Sequence, residues 1–164
     1  MKSFKFIALS GALLVACAAQ AGTLQFLVEN SNGKVDEIKF YLDKNPLEKV
    51  DAVDQGGRTA LQSAASQGYP DVVKYLVEKW KANVNHADNN GGTALHDAVW
   101  SAPGTITIVG SAGPVTGGWL DVVKYLVGKG ADINAKDKGG RTPLSFAGGK
   151  PEILKYLLEN GAVI

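Results

Sequence analysis

The apolar positions of this chain recur in short stripes with helical spacing, and one stripe occurs twice in identical form. The segment Asp-Val-Val-Lys-Tyr-Leu-Val fills residues 71–77 and again residues 121–127. Within it, Val72, Val73 and Leu76 fall on one side of a helix, which predicts an amphipathic helix with one buried face. A seven-residue identity in a chain of 164 residues indicates a duplicated structural unit.

Each of these helices follows a shorter helical pattern that opens with glycine, threonine and leucine. The opening occurs three times, at residues 57–61, 92–95 and 140–144. The glycine permits a tight turn, and we expect Thr59, Thr93 and Thr142 to cap the helix that follows. At the other end of the unit, Gly130 fits the close of a second helix.

Together these elements closely resemble the ankyrin repeat family, whose signature is a turn, a Thr-Pro-Leu-His helix and a second Val-Val-x-x-Leu-Leu helix. The resemblance covers almost all of residues 22–164 and implies an all-α solenoid of four helix-turn-helix repeats with β-turn tips. The repeats are expected at residues 23–53, 54–87, 88–136 and 137–164. The first of them lacks the Gly-x-Thr opening, as is typical of a terminal repeat that caps a stack.

The third repeat is expanded. Thr93 and Thr142 are 49 residues apart, whereas Thr59 and Thr93 are 34 apart, and the alignment places the extra residues at 102–117. This insertion is uncharged and has alternating β-branched residues, which predicts an ordered loop or a small β-hairpin. A neutral surface insertion and a partner-contacting loop both stay open as interpretations.

Two smaller departures concern helix ends. Trp80 stands where Gly130 leads the turn of the next repeat, so we expect it to pack over a helix end without a glycine cap, with partner contact as the alternative. The fourth repeat is two residues short around 147–150, which predicts a short or irregular first helix.

A lysine followed by an aromatic residue recurs on the second helices. The pairs are Lys39-Phe40, Lys74-Tyr75, Lys124-Tyr125 and Lys155-Tyr156. Stacked repeats would align them on the outer surface, where we expect packing between repeats rather than recognition.

The N-terminus has the pattern of a secretory signal peptide over residues 1–21. Two lysines precede a short apolar run, and small residues ending in Ala19-Gln20-Ala21 follow it. An alternative is the lipobox-like segment 14–17, in which Cys17 would be lipidated. Both interpretations place the protein in the periplasm, either soluble or lipid-anchored. Because Cys17 is the single cysteine, no disulfide can form within the repeats.

The composition and motifs argue against chemistry. The net charge of +1 gives no general field for nucleic acid. No cysteine–histidine cluster has zinc spacing, and no nucleophile–histidine–carboxylate motif stands out. The resemblance gives His96 a structural role between neighbouring turns, while His86 is expected to be solvated. It also makes Asp54, Asp88 and Asp137 structural features of the turn tips rather than a metal site. We therefore expect no enzyme, no metal and no cofactor.

The resemblance implies a monomeric module that binds another protein through its turn tips and the concave surface of its first helices. The turn-tip candidates are Asp54, Gln55, Asn89, Asn90 and Lys138. The first-helix candidates are Gln62, Ser63, Ser66, Asp97, Trp100, Ser145 and Phe146. The insertion and its flank add Ile106, Ile108, Val109 and Trp119. An immunity or inhibitor protein acting on a periplasmic toxin or enzyme is the first hypothesis. An accessory protein that stabilises an envelope enzyme or assembly is the alternative.

Overall fold

The computed structural model describes residues 23–104 and 118–163. Seven α-helices lie in these ranges: α1 Thr23–Asn30, α2 Val35–Lys44, α3 Ala60–Gln67, α4 Pro70–Trp80, α5 Ala94–Ser101, α6 Trp119–Gly128 and α7 Pro151–Glu159. A 3-10 helix, Pro143–Phe146, stands between α6 and α7. The predicted hairpin or loop falls mostly in 105–117, outside the described residues.

The helices form two parallel rows, as the all-α solenoid requires. The first helices α1, α3 and α5 and the 3-10 helix contact one another in that order. The second helices α2, α4, α6 and α7 form the other row in the same way. Each first helix also contacts the second helix of its own repeat, which gives four repeats and confirms the predicted architecture.

The core lies between the two rows, and the duplicated segment supplies much of it. Val72, Val73 and Leu76 are fully buried, and so are their equivalents in α6. Burial of one such side chain is worth roughly 1.5–3 kcal/mol. The two identical segments therefore bury the same positions because each lies between two neighbouring repeats.

The threonine caps form as predicted. The Gln62 N–H donates to Thr59 Oγ1 over 3.3 Å, while the Thr59 N–H donates back to Gln62 Oε1 over 3.1 Å. The N–H of Thr93 and that of Thr142 each donate to the side chain three residues later, over 3.2 Å in both repeats. These reciprocal bonds satisfy N–H groups that a helix start would otherwise leave unpaired.

The end of α6 agrees with the prediction, and the end of α4 differs from it. Gly130 closes α6 with a φ of 87°, as expected. In repeat two, Lys81 rather than Trp80 takes the equivalent place, with a φ of 57° and its N–H donating to the Leu76 carbonyl. The prediction that Trp80 stands there is wrong, because α4 runs one residue further before the chain turns. Trp80 is the last residue of α4 and packs, half-buried, against the core.

The fourth repeat has the irregular first helix that its shortness predicted. Only the 3-10 helix Pro143–Phe146 forms before Ala147, and α7 begins at Pro151. In the portion of the chain with described coordinates, no helix is long and apolar enough to cross a membrane.

Candidate protein-interaction surface

The turn tips are built on aspartate side chains that face inward. In Asp54, Asp88 and Asp137, Oδ1 accepts the backbone N–H groups of the second and fourth residues that follow, over 2.8–2.9 Å. Such bonds fix a turn locally. The three aspartates therefore have the structural role that was expected of them. Because Asp54 Oδ1 already accepts two hydrogen bonds within its own turn, it contributes to the turn rather than directly to partner contact.

Neighbouring tips are hydrogen-bonded to one another. The Asn89 N–H donates to the Gly56 carbonyl over 3.0 Å, and its side-chain amide donates to the Gln55 carbonyl over 3.0 Å. The Lys138 N–H donates to the Asn90 carbonyl over 2.8 Å. The side chains of Gln55, Asn90 and Lys138 point into solvent from a row of tips that is already rigid.

A second set of bonds joins each first helix to the next repeat. The donor is Nε2 and the acceptor is the carbonyl before the next capping threonine: Gln25 to Arg58 (3.1 Å), Gln62 to Gly92 (2.9 Å) and His96 to Arg141 (3.1 Å). Because a carbonyl only accepts, His96 carries its proton on Nε2 in this arrangement. The structural role expected of His96 is confirmed.

This equivalence corrects the site prediction at Gln62. The side chain is only 1% exposed, because it takes the place in repeat two that His96 takes in repeat three. Ser63 is also buried, and its hydroxyl donates to Glu29 Oε1 over 3.1 Å. Neither Gln62 nor Ser63 can contact a partner directly. Aligning Thr-Ala-Leu-Gln with Thr-Ala-Leu-His would have identified Gln62 from the sequence.

The second histidine also differs from expectation. His86 Nε2 donates to the Gly57 carbonyl over 2.9 Å, so this side chain links two turns instead of being solvated. Its neighbour Asn85 similarly donates to the Gly130 carbonyl over 3.0 Å. Both residues stabilise the stacking of repeats.

The indole of Trp119 takes part in packing between repeats. Its Nε1 donates to the Ser66 carbonyl over 3.0 Å, and its ring covers Gly68 so closely that a Cβ there would lie 2.6 Å away. The Ser66 hydroxyl donates to the Ser63 carbonyl over 3.0 Å and stays partly accessible. Trp119 therefore anchors the start of α6 on repeat two.

The exposed Trp100 and the half-buried Phe146 form an aromatic pair on the first-helix row. Their ring centroids are 5.1 Å apart with an interplanar angle of 88°, an edge-to-face arrangement. Trp100 is 65% exposed although α5 is otherwise well covered. The guanidinium carbon of Arg141 lies 4.9 Å from the Phe146 centroid, which completes a stack of Arg141, Phe146 and Trp100. Ser145 is exposed beside it.

Lys150 holds the backbone beneath this stack. Its Nζ donates to the carbonyls of Trp100 over 3.1 Å and Phe146 over 3.0 Å, and also to that of Val99. These bonds satisfy the end of α5 and tie it to repeat four. Burial lowers the pKa of Lys150. The sequence analysis assigned no role to Lys150.

Asp97 lies one turn before Trp100 on the same helix. Its Oδ2 accepts from Gln62 Nε2 over 3.3 Å and lies 3.7 Å from Arg58 Nη2. Burial raises the pKa of Asp97 to about 6, and the charge of Asp88 adds to the rise, while Arg58 and the Gln62 bond oppose it. A partly buried carboxylate with a raised pKa is a feature of functional sites as well as of structural networks.

The outer face carries the lysine–aromatic ladder. Lys39 Nζ lies 5.9 Å from the ring centroid of Tyr75 in the next repeat, and the Tyr156 hydroxyl donates to the Lys124 carbonyl over 3.5 Å. The Tyr125 hydroxyl donates to Glu78 over 3.2 Å, and burial together with this bond raises the pKa of Tyr125 to about 12. These contacts cross from one repeat to the next, as the packing interpretation predicted.

The part of the site prediction that concerns the insertion is not tested by the structure. Ile106, Ile108 and Val109 lie outside the described residues, so a role for the insertion stays a prediction. Among residues 23–104 and 118–163, no group of three or more His, Cys, Asp or Glu side chains is placed to hold a metal ion.

Comparison with known proteins agrees with this geometry. A family model described as ankyrin repeats in three copies matches residues 13–110, and a second ankyrin-repeat model matches residues 115–158. A putative ankyrin repeat protein of Borreliella burgdorferi is 28% identical over 136 residues, which are 82% of this chain and 28% of that protein.

Two animal proteins are similar over shorter parts. The BCL-6 corepressor-like protein 1 of Mus musculus is 38% identical over 88 residues, which are 54% of this chain and 4% of that protein. Alpha-latrocrustotoxin-Lt1a of Latrodectus tredecimguttatus is 37% identical over 121 residues, or 72% of this chain and 7% of the toxin. The chain spans less than a third of the length of each of these three relatives. The shared part is the repeat array, which in general serves as a non-enzymatic scaffold for binding other proteins. The chain belongs to the ankyrin repeat family.

Proposed function

We propose that this protein works outside the cytoplasm as a binding module for one partner protein, after removal of residues 1–21. The partner contacts the row of turn tips and the exposed side of the first helices. The observation that carries this proposal is Trp100, which is 65% exposed on α5 in the first-helix row and packs against Phe146. Aromatic anchors of this kind supply most of the energy at protein interfaces.

The rigidity of the surface supports the same proposal. Trp100 is held by Phe146 at its ring and by Lys150 at its carbonyl, and the turn tips are bonded to each other. Side chains that are already ordered lose little entropy on binding, so more of the contact energy is available for affinity. The framework positions repeat from unit to unit while the exposed ones differ, which is how a scaffold acquires specificity.

Within this proposal the partner is a periplasmic toxin or enzyme, and the protein is its immunity protein or inhibitor. The leader-like N-terminus supports an extracytoplasmic site of action. The alternative is an accessory protein that stabilises a periplasmic enzyme or assembly. The two roles differ in what binding does to the partner, since an inhibitor removes its activity and an accessory protein preserves it.

A photo-crosslinking amino acid at position 100 tests the surface in intact cells. Phe40 is a matched control position, because it is 53% exposed but lies on the outer row. We expect one dominant protein adduct from position 100 and none from position 40. Equal adducts from both positions, or none from position 100, would contradict the proposed surface.

The adduct then separates the two roles. Purified partner should lose its activity on addition of this protein if the inhibitor role is correct. If its activity persists while its thermal stability rises, the accessory role is correct.

The site of action has its own test. Mass spectrometry of the mature protein should find either a chain that begins at Gly22 or a lipidated Cys17. A chain that keeps residues 1–21 and fractionates with the cytoplasm would rule out the extracytoplasmic part of the proposal.

A further inference from the structure

The tip of repeat four differs from its neighbours in charge. Lys136, Lys138 and Arg141 are exposed, whereas the only acid among them, Asp137, is buried. The backbone N–H of Arg141 and the other bonds of this turn lower the pKa of Asp137, so it stays ionised and directed inward. In the next tip along the row, the exposed positions Asn89 and Asn90 are uncharged, and Asp88 bonds to the backbone of its own turn. This corner of the surface therefore presents net positive charge to solvent.

Arg141 is positioned to use that charge. Its Nε donates to Asp137 Oδ2 over 2.8 Å, and its Nη2 lies 2.8 Å from the same oxygen. A guanidinium has five N–H donors in a fixed fork, so three stay available beyond these two. The side chain is 59% exposed, and its planar group is fixed over Phe146. Fixed guanidinium groups favour carboxylates, which they bind through two parallel hydrogen bonds.

The apolar half of the same surface adjoins this charge. Trp100 packs edge-to-face with the same Phe146 ring that the guanidinium of Arg141 contacts, so one aromatic side chain links the positive group to the exposed indole. The carboxylate of Asp97, one turn before Trp100 on α5, is paired with Arg58 of repeat two at 3.7 Å. An incoming group thus meets a cation at one end of the stack and an apolar ring at the other.

Resting on the proposed function, we infer that this surface binds a partner segment in which a carboxylate side chain lies next to an aromatic or aliphatic one. The carboxylate binds at Arg141 and Lys138, and the apolar side chain packs on Trp100 and Phe146. The inference names the chemistry of the contact, whereas the proposed function requires only that some protein binds there. A basic partner segment would face repulsion from Lys138 and Arg141.

Selection from a random twelve-residue peptide library, displayed on phage and passed over the immobilised full-length protein, supplies a probe without knowledge of the partner. We expect enriched peptides to carry Asp or Glu within two positions of Trp, Phe, Leu or Ile. The affinity of the corresponding synthetic peptides, measured by fluorescence anisotropy, should fall with rising salt concentration, because exposed charges are screened.

Two substitutions and two matched controls assign the site. Trp100→Ser should weaken peptide binding at least tenfold, because it removes the aromatic anchor. Lys138→Glu should weaken it about fivefold, as expected for one exposed charge. Phe40→Ser and Lys74→Glu, equivalent changes on the outer row, should leave the affinity unchanged. Thermal unfolding of all four variants verifies that each is folded.

The outcomes separate the inference from the proposed function. Peptides that depend on Trp100 but lack acidic residues, or that bind Lys138→Glu as well as the parent, would overturn the inference and leave the binding surface in place. Failure to select any peptide whose binding depends on Trp100 would count against both.

Discussion

The partly buried position of Asp97 leads to a prediction with a definite sign. Burial raises its pKa from 3.8 to about 6, so the ionised form is less favourable in the folded protein than in the unfolded chain. The folded state therefore binds the proton more tightly. Protonated Asp97 therefore stabilises the folded state relative to the unfolded chain. This stabilisation is fully present below about pH 4 and is lost as the pH rises through 6. At neutral pH the Asp97 charge should lower the free energy of unfolding.

The size of the effect follows from the same shift. At 1.36 kcal/mol for each pKa unit, the charge costs at most about 3 kcal/mol. Asp97→Asn removes the charge and keeps an oxygen that can accept from Gln62. It also removes the ion pair with Arg58, whose charged groups are 3.7 Å apart. An ion pair of this kind contributes about 0–1 kcal/mol to the free energy of unfolding. We therefore expect Asp97→Asn to raise the free energy of unfolding by about 1–2 kcal/mol at pH 7.5.

Urea denaturation at several pH values measures this prediction. The difference between Asp97→Asn and the parent protein should be largest at pH 7.5 and shrink towards zero near pH 4. Asp71→Asn is the control, since Asp71 is exposed and forms an exposed ion pair with Lys74, at 3.8 Å on the same helix. A stabilisation that does not vary with pH, or a loss of stability at pH 7.5, would refute the reasoning. Side-chain NMR should find the titration of Asp97 near pH 6.

Three further predictions concern the stacking of repeats. Leu76→Ala should lower the free energy of unfolding, measured by urea denaturation, by roughly 2–5 kcal/mol, because removing a fully buried side chain leaves a cavity. Leu47→Ala, at an exposed position, should change it little. Equal losses for the two variants would contradict the stacking model. Gln62→Leu should lower the free energy of unfolding by about 1–3 kcal/mol, because it leaves the buried partners of Gln62 unpaired. Gln62→His should be tolerated, since His96 makes the equivalent bond in repeat three. A larger loss of stability for the His variant than for the Leu variant would contradict this equivalence. Lys150→Met should lower the melting temperature and quicken hydrogen exchange at the end of α5; an unchanged exchange rate there would mean that these bonds do not hold the helix.

The framework was predictable because each of its elements depends on local chemistry. Thr59 caps its helix through bonds to a residue three positions later, and Gly130 adopts a conformation that glycine favours. The stripe of Val72, Val73 and Leu76 follows from helical spacing alone. Interactions of this kind lie within a few residues of sequence, so one chain is enough to infer them.

The contacts between repeats were predicted less well. Gln62 and Ser63 occupy first-helix positions that the family resemblance assigned to a partner, but partners from neighbouring repeats bury them. Lys150 bonds to carbonyls about fifty residues earlier in the chain, and nothing in the residues around it indicates this. The identity of a polar residue in the sequence does not indicate whether its side chain will bond to water or to a distant carbonyl.

The sequence by itself determined the repeat, its helices and its turns, because these depend on periodicity and on bonds between near neighbours. Only the tertiary structure decided which polar side chains are used inside the stack and which are left for a partner. Stacking placed Arg141, Phe146 and Trp100 in one surface row, although Trp100 and Phe146 are 46 positions apart in the chain. Their adjacency depends on how repeat four packs against repeat three, a relation between surfaces that no local pattern in the chain encodes.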